Sequence, residues 1–411
     1  MRIFVAVRHS NEPKFFYGGL WSANFYPALR ELGHEIIESQ TDLLPTSRFM
    51  SVADSFTPEE REVRSRTTER ILAEVRKAQQ TGAVNLFLSY FYNAHFDPAG
   101  FDELRRLGIP SVNFYCNSIY QFGQVAAIAA KADYSWHAER DARASYLGVG
   151  ANPVWVQMGA DPAVYRPVAG SREPGACFVG QRYCDRERWL ASLVHAGLEP
   201  AIYGAGWGKD AVTSAAQAES SAKYLGRAQP RPGSLASYAR TVSRRLQTEG
   251  LIGGLRRIAR QTAYRKKSRA DFNLLRPFAR GRAESISETF SRHEVCLNFS
   301  NVWADGQPGS ALIPHVRLRD FEGPMCRACY LTGHTDEITE FYDVGREIET
   351  YRTPDELVDK TRFYLAHPDV AEKLREAGYR RALRDHTWKR RFEKLLACIL
   401  SSSRASDNFL P

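Results

Sequence analysis

Cysteine is scarce in this chain. The seven that occur are scattered and odd in number, which argues against a secreted disulfide framework. Long apolar runs are missing too: none approaches the ~18–20 residues that a membrane span needs. The opening Met1-Arg-Ile-Phe-Val-Ala-Val7 is too short for a signal peptide and reads as a first strand, so a cytoplasmic protein is expected. Cys326 and Cys329 have Cys-x-x-Cys spacing, but no second ligand pair is spaced to complete a zinc site. Two thiols packed around a turn are the expectation there, without metal or redox chemistry. Acidic residues nearly vanish between Lys223 and Arg282, where Glu249 and Asp271 stand against a run including Arg244, Arg245, Arg256, Arg257, Arg265, Lys266 and Lys267. The net charge of +9 comes from this segment, and the rest of the chain is slightly acidic.

At 411 residues the chain exceeds the ~250–300 at which one hydrophobic core stops growing, so two domains are expected. Short apolar runs alternate with helical patterns in both halves, the signature of βαβ units and parallel sheets. In the first half the strands read as residues 3–7, 35–37, 84–89, 111–115, 132–136 and 153–157. Gly159-Ala-Asp-Pro with Tyr165-Arg-Pro167 suits an interdomain crossing. The second half supplies 176–180, 201–204, 294–299 and 328–332, then amphipathic helices over 354–365, 368–384 and 388–400. The domains are placed at 1–165 and 166–390, the second with a basic helical insertion over about 227–282. A closing helix and tail at 388–411 are expected to pack back on the first domain.

Residues 315–341 read as helix, short buried strand, then acidic turn. Arg319, Phe321, Glu322 and Cys326 form an Arg-x-Phe-Glu run followed by a Cys-containing turn and an apolar strand. This run resembles the donor-binding segment of GT-B nucleotide-sugar glycosyltransferases of group 1, in the branch related to spore-maturation glycosyltransferases. Gly18-Gly-Leu, Ala28-Leu-Arg-Glu-Leu-Gly-His34, the crossing segment, Ala377-Gly-Tyr-Arg-Arg381 and His386-Thr-Trp388 extend the likeness over most of the chain. The resemblance implies an α/β protein of GT-B architecture: two Rossmann-like domains face each other across a cleft, and C-terminal helices close the chain. It also implies transfer of a sugar from a nucleoside-diphosphate donor, UDP-sugars among the candidates, to a glycan, glycolipid or small-molecule acceptor, as in bacterial surface polysaccharide assembly.

Such a donor presents a ribose, a diphosphate and a sugar. Glu322 is the expected ribose ligand, because one carboxylate accepts from both ribose hydroxyls; the bland alternative is an exposed helix carboxylate paired with a neighbouring arginine. The diphosphate needs cations and backbone N–H groups, for which Arg182, Arg317 and Arg319 are the candidates. Gly18 and Gly19 lie in the loop after the first strand, where glycines allow close approach to phosphate, or simply make a tight turn. Gly204-Ala-Gly206 and Gly306-Gln-Pro-Gly-Ser310 carry the same ambiguity. Many retaining relatives place a second glutamate upstream with seven residues between the two; here that position is Pro314, which removes an expected sugar contact. His95 and Asp97 follow a strand of the first domain and are the acid/base candidates, with capping as the alternative role for His95. Asn117 occupies a position where related proteins often have aspartate, and His137 follows the next strand. No metal or other cofactor is expected, since basic side chains and helix termini take the metal's place in this group.

The basic insertion reads as an amphipathic helix around 246–267, with Leu251, Leu255, Ile258 and Thr262 on one face. An anionic membrane surface or lipid-linked acceptor, contacted through 231–279 at the inner face of the membrane, and a plain solvated excursion are both open. Aromatics are too sparse there to favour nucleic acid. A sugar-nucleotide epimerase or hydrolase, or a non-catalytic protein of the same fold, stands as the alternative function.

Overall fold

The computed structural model describes residues 1–7, 20–208, 256, 259–304 and 308–407, the last six without side-chain detail. The chain forms two compact units, one of residues 1–161 with 385 onward and the other of residues 162–384.

The first unit is built on a six-stranded parallel sheet of order β2-β1-β3-β4-β5-β6, comprising β1 Arg2–Ala6, β2 Glu35–Glu38, β3 Leu86–Ser89, β4 Ser111–Tyr115, β5 Tyr134–His137 and β6 Pro153–Trp155. β3, β4 and β5 are buried at every position. Covered on both faces, such strands lose the polar alternation of a half-exposed sheet and appear as continuous apolar runs. Helix Leu20–Glu31 follows β1 in the described chain, and Gly33 at φ +77° turns the chain out of it into β2. Helix Pro58–Thr81 starts on a reciprocal cap: the Thr57 side chain accepts from the Glu60 N–H while the Glu60 carboxylate accepts from the Thr57 N–H. The core is strongly aromatic. Phe25 meets Trp136 at 5.5 Å and Trp388 at 5.3 Å, and Phe392 closes on Trp136 at 5.6 Å. Trp388 and Phe392 belong to helix Trp388–Asp407, so the end of the described chain completes the core begun by its first helix.

The second unit has a parallel sheet of order β14-β13-β10-β7-β8-β9, comprising β7 Glu173–Val179, β8 Ala201–Tyr203, β9 Ala279–Gly281, β10 His293–Asn298, β13 Tyr330–Gly333 and β14 Glu349–Tyr351. A small antiparallel ladder, β11 Val302–Trp303 with β12 Leu312–Ile313, follows β10. Phe178, Trp189, Ile202, Leu297, Phe299 and Tyr351 are the bulk of the core. Gly204, at φ +131°, ends β8 against β7: a Cβ there would lie 2.3 Å from the Gly180 carbonyl oxygen. Packing of Gly204 on the β7 backbone is what excludes a side chain here.

Each unit is a Rossmann-like α/β layer, as expected. β9, β14 and the β11–β12 ladder were not anticipated. They are two or three residues long, and Glu-Thr-Tyr and Ala-Arg-Gly contain no apolar run to signal them. Among the described residues no helix is long and apolar enough to cross a membrane.

Candidate functional site

In open α/β sheets ligands collect beyond the carboxyl ends of the strands. In the second unit that edge holds the loop after β7, residues 180–185, the loop after β10, residues 299–301, and the short helix Arg319–Met325 leading into β13.

Asp320 anchors this helix. Its carboxylate is buried and accepts from Thr332 Oγ1 at 2.8 Å, Tyr330 Oη at 3.1 Å, Asn298 Nδ2 at 3.1 Å and the Arg317 N–H at 2.7 Å. Burial still wins over these bonds and holds its pKa above the usual carboxylate range. Two residues on, Glu322 is only 4% exposed, and its Oε2 accepts from Arg319 Nη1 at 2.6 Å. Tyr165 of the crossing segment is hydrogen-bonded to the same carboxylate; burial, then Glu322, raises its pKa. Glu322 is thus buried where the bland alternative had it exposed, and it is paired with a neighbouring arginine as that alternative had it. For Arg319, burial opposes the charge, and the attraction of Glu322 and then Tyr165 outweighs it, leaving the pKa raised.

Arg186 was not singled out from the sequence. It opens helix Arg186–His195 directly after the β7 loop, donates to the carbonyl oxygens of Gln181 at 2.8 Å and Phe299 at 3.1 Å, and lies over the Phe178 ring. Among the described residues no carboxylate pairs with it. The nearby Asp185 is committed to Trp189 Nε1 at 2.6 Å and Asn301 Nδ2 at 3.1 Å. Burial, then repulsion from Arg317 and Arg319, pulls the Arg186 pKa down to about 10. The same positive field acts on His315, 2% exposed, whose pKa lies well below the ordinary histidine value through burial first, then Arg317 and Arg186. Three guanidinium groups and a neutral imidazole thus crowd one sheet edge, where Arg319 is paired with Glu322 and Arg186 has no carboxylate partner among the described residues. A cation at a helix N-terminus opposes the macrodipole, and that mismatch was the sequence signal for Arg186.

Arg182 sits on the other side of the same loop. Its Nε donates to the buried Glu187 at 2.6 Å, its Nη2 to Ser268 Oγ at 3.2 Å, and its guanidinium stacks on Phe272 at 4.2 Å. Ser268 and Phe272 belong to a helix over 259–275. Tyr264 of this helix packs edge-on against Trp303 at 5.0 Å and donates to the Cys184 carbonyl.

In the first unit, His95 is fully buried: Nδ1 accepts from the Tyr92 N–H at 3.3 Å and Nε2 lies 3.3 Å from Ser47 Oγ. Asp97 accepts from Arg64 Nη2 at 3.3 Å and from the Ala99 N–H at 3.1 Å. The two acid/base candidates therefore engage different partners and are not brought together. Gly18, Gly19 and residues 246–255 of the basic insertion lie outside the described residues. Among the described residues, no group of three or more His, Cys, Asp or Glu is arranged to hold a metal ion.

Residues 256–397 match the model of a family described as glycosyl transferase-like. This stretch, about a third of the chain, is similar to that family. It contains the Arg319–Met325 helix and the 259–275 helix, while the loop bearing Arg182 and Arg186 precedes it. The chain as a whole has the GT-B fold, with structural likeness to sucrose-phosphate synthase from Thermosynechococcus elongatus (TM-score 0.56, 12% identity, 99% of this chain and 100% of that one). A glycosyltransferase from Rickettsia africae ESF-5 is similar (TM-score 0.57, 10% identity, 97% of each chain), as is HepE from Anabaena, solved in complex with UDP and glucose (TM-score 0.54, 10% identity, 98% and 100%). No curated protein matches the sequence significantly.

Proposed function

We propose that this protein is a glycosyltransferase related to the spore-maturation branch, which takes a sugar from a nucleoside-diphosphate donor held by the second unit and transfers it to an acceptor hydroxyl held by the first. The observation that supports it most is the buried Arg186, which no carboxylate pairs with among the described residues and which Arg317 and Arg319 repel, close to the Arg319–Glu322 pair. A diphosphate supplies the missing negative charge, and its departure as leaving group is favoured by preorganised guanidinium groups. In this reading arginines neutralise the leaving group and no metal takes part. Glu322 exchanges Arg319 and Tyr165 for the ribose hydroxyls. HepE, of similar fold, was solved with UDP, which makes UDP the first nucleotide to try.

A thermal-shift screen of UDP, GDP, dTDP, ADP and CMP against wild type and Glu322→Ala tests this. A ligand at ~100 times its dissociation constant adds about 2.7 kcal/mol. A shift with one nucleotide that is lost in Glu322→Ala is expected; no shift with any removes the donor reading. Turnover of donor without an acceptor would instead indicate a hydrolase or epimerase.

The setting we propose is the cytoplasm, at the inner membrane face, with a glycan or lipid-linked acceptor. Arg260, Arg265, Lys266, Lys267 and Arg269 are all exposed on the 259–275 helix, and among the described residues no carboxylate pairs with them. Each basic residue near an anionic lipid surface is worth about 1 kcal/mol. Because Tyr264 and Phe272 are spent on packing within the unit, this contact is electrostatic. Liposome flotation checks it: recovery should favour anionic over neutral vesicles and fall with salt, and equal recovery would dismiss it.

A further inference from the structure

Tyr115 ends β4 and His137 ends β5, and the two are register partners. Partners in a parallel pair put their side chains on the same face, here at the carboxyl edge of the first unit's sheet. Both residues are buried, at 1% and 0% exposure, and among the described residues both hold a polar atom without a hydrogen-bond partner, Tyr115 Oη and His137 Nε2. The tautomer of His137 follows from its other nitrogen. Nδ1 lies 2.9 Å from the Glu139 carbonyl oxygen, which only accepts, so Nδ1 carries the proton and Nε2 presents a lone pair. Neither ring has freedom to seek another partner. His137 stacks on Tyr146 at 4.9 Å, whose hydroxyl is 2.8 Å from Ser118 Oγ, and Tyr115 is edge-on to Tyr92 at 5.1 Å.

An unsatisfied buried polar group costs about 1–3 kcal/mol, and native structures keep few of them. Two on paired residues at a ligand-binding edge mark a site that is completed by something else. A partner must donate to Nε2, while Oη can either donate to it or accept from it. A hydroxyl serves both atoms in either arrangement, whereas an ionised carboxylate or phosphate has no proton for Nε2. We propose that Tyr115 and His137 are a recognition pair for a sugar hydroxyl, and that they position the acceptor of the transfer proposed above, on which this inference rests. Burial keeps the imidazole neutral, its pKa pushed down to about 4. His137 therefore orients the hydroxyl and does not remove its proton.

The test uses Tyr115→Phe, which deletes only the hydroxyl, and His137→Asn, which keeps an N–H toward Glu139 and deletes the Nε2 lone pair. In ligand-free protein Tyr115→Phe should unfold at or above the wild-type temperature, because no bond is lost. The ¹⁵N resonance of His137 Nε2 should move when methyl glucoside, methyl galactoside or methyl mannoside is added at millimolar concentration, with binding about fivefold or more weaker in Tyr115→Phe. Loss of several degrees in ligand-free Tyr115→Phe would mean that a permanent buried water satisfies the pair, and an Nε2 resonance indifferent to every sugar would mean that no hydroxyl binds; either overturns the proposal. The UDP shift is measured on the same samples. Its absence from wild type counts against the donor reading alone, while its retention in both variants separates acceptor recognition from donor binding.

Discussion

Replacing Arg186 with methionine retains an aliphatic side chain over Phe178 and removes the charge. In the free protein the change gives up hydrogen bonds to the Gln181 and Phe299 carbonyls, each worth about 1 kcal/mol net. It also relieves the repulsion from Arg317 and Arg319 that depresses the Arg186 pKa. The two effects oppose each other, so the free variant should unfold within about 1 kcal/mol of wild type. With a diphosphate bound the balance changes, because a charge-assisted hydrogen bond worth about 1.5–3 kcal/mol is lost. UDP should then bind about 10–150-fold more weakly. At a UDP concentration 100 times the wild-type dissociation constant, wild type gains about 2.7 kcal/mol and the variant only about 0.3–1.4. Thermal shift detects the difference, and titration calorimetry gives the dissociation constants. Arg182→Met is the comparison: its cation is already matched by Glu187 and Phe272, so its UDP shift should stay near wild type. Full UDP stabilisation in Arg186→Met, with the loss appearing in Arg182→Met, would refute the assignment of the phosphate site.

Three other substitutions follow from the same geometry. Asp320→Asn presents an N–H₂ group to a shell of donors and strands one of them, at a cost of about 1–3 kcal/mol; urea unfolding with an unchanged midpoint would contradict the network described. His315 and His137 are held neutral when folded, while the unfolded chain protonates them near 6.5. Stability should therefore fall as pH drops below 6.5, by at most about 1.4 kcal/mol per pH unit for each; for His137 the fall ends near pH 4. His315→Gln should make this acid limb shallower in pH-dependent denaturation, and an identical slope would show that His315 already binds a proton in the folded state. Gly204→Ala combines a positive φ with a Cβ 2.3 Å from the Gly180 carbonyl oxygen, so a loss of about 2–5 kcal/mol is expected from the thermal midpoint.

The strands that were easiest to read are those buried on both faces. Ser111–Tyr115 coincides with its expected range, and Leu86–Ser89 and His293–Asn298 fall within two residues of theirs at each end. Burial removes polar positions, and the remaining apolar run is a direct record of it. Short edge strands such as Glu349–Tyr351 leave no such record, because their few residues are held by one neighbour and the turns beside them. The helix carrying Glu322 was legible, since Arg319–Met325 lies between a proline-containing loop and an apolar strand. The division of labour among the arginines was not. Arg182 lies in the loop after β7 and Arg186, four residues on, opens the helix that follows it, yet as letters they look equivalent. Only the positions of Glu187 and Phe272, set by the fold, show that one is matched and the other is not. The burial of His95 against Ser47, 48 residues away in sequence, was equally out of reach.

The first unit is interrupted by the whole of the second, with Trp388 and Phe392 returning to pack on Phe25 and Trp136. On the ribosome this imposes an order of assembly. A continuous stretch such as 162–384 can fold once it has emerged, whereas the earlier 160 or so residues must wait, with a large aromatic surface open, until the final helix is made. At about 5–20 residues per second that interval lasts some tens of seconds. The protein is consequently most exposed to aggregation and proteolysis during its own synthesis, and a stop codon just before Trp388 would leave a finished second unit attached to a first unit that never closes.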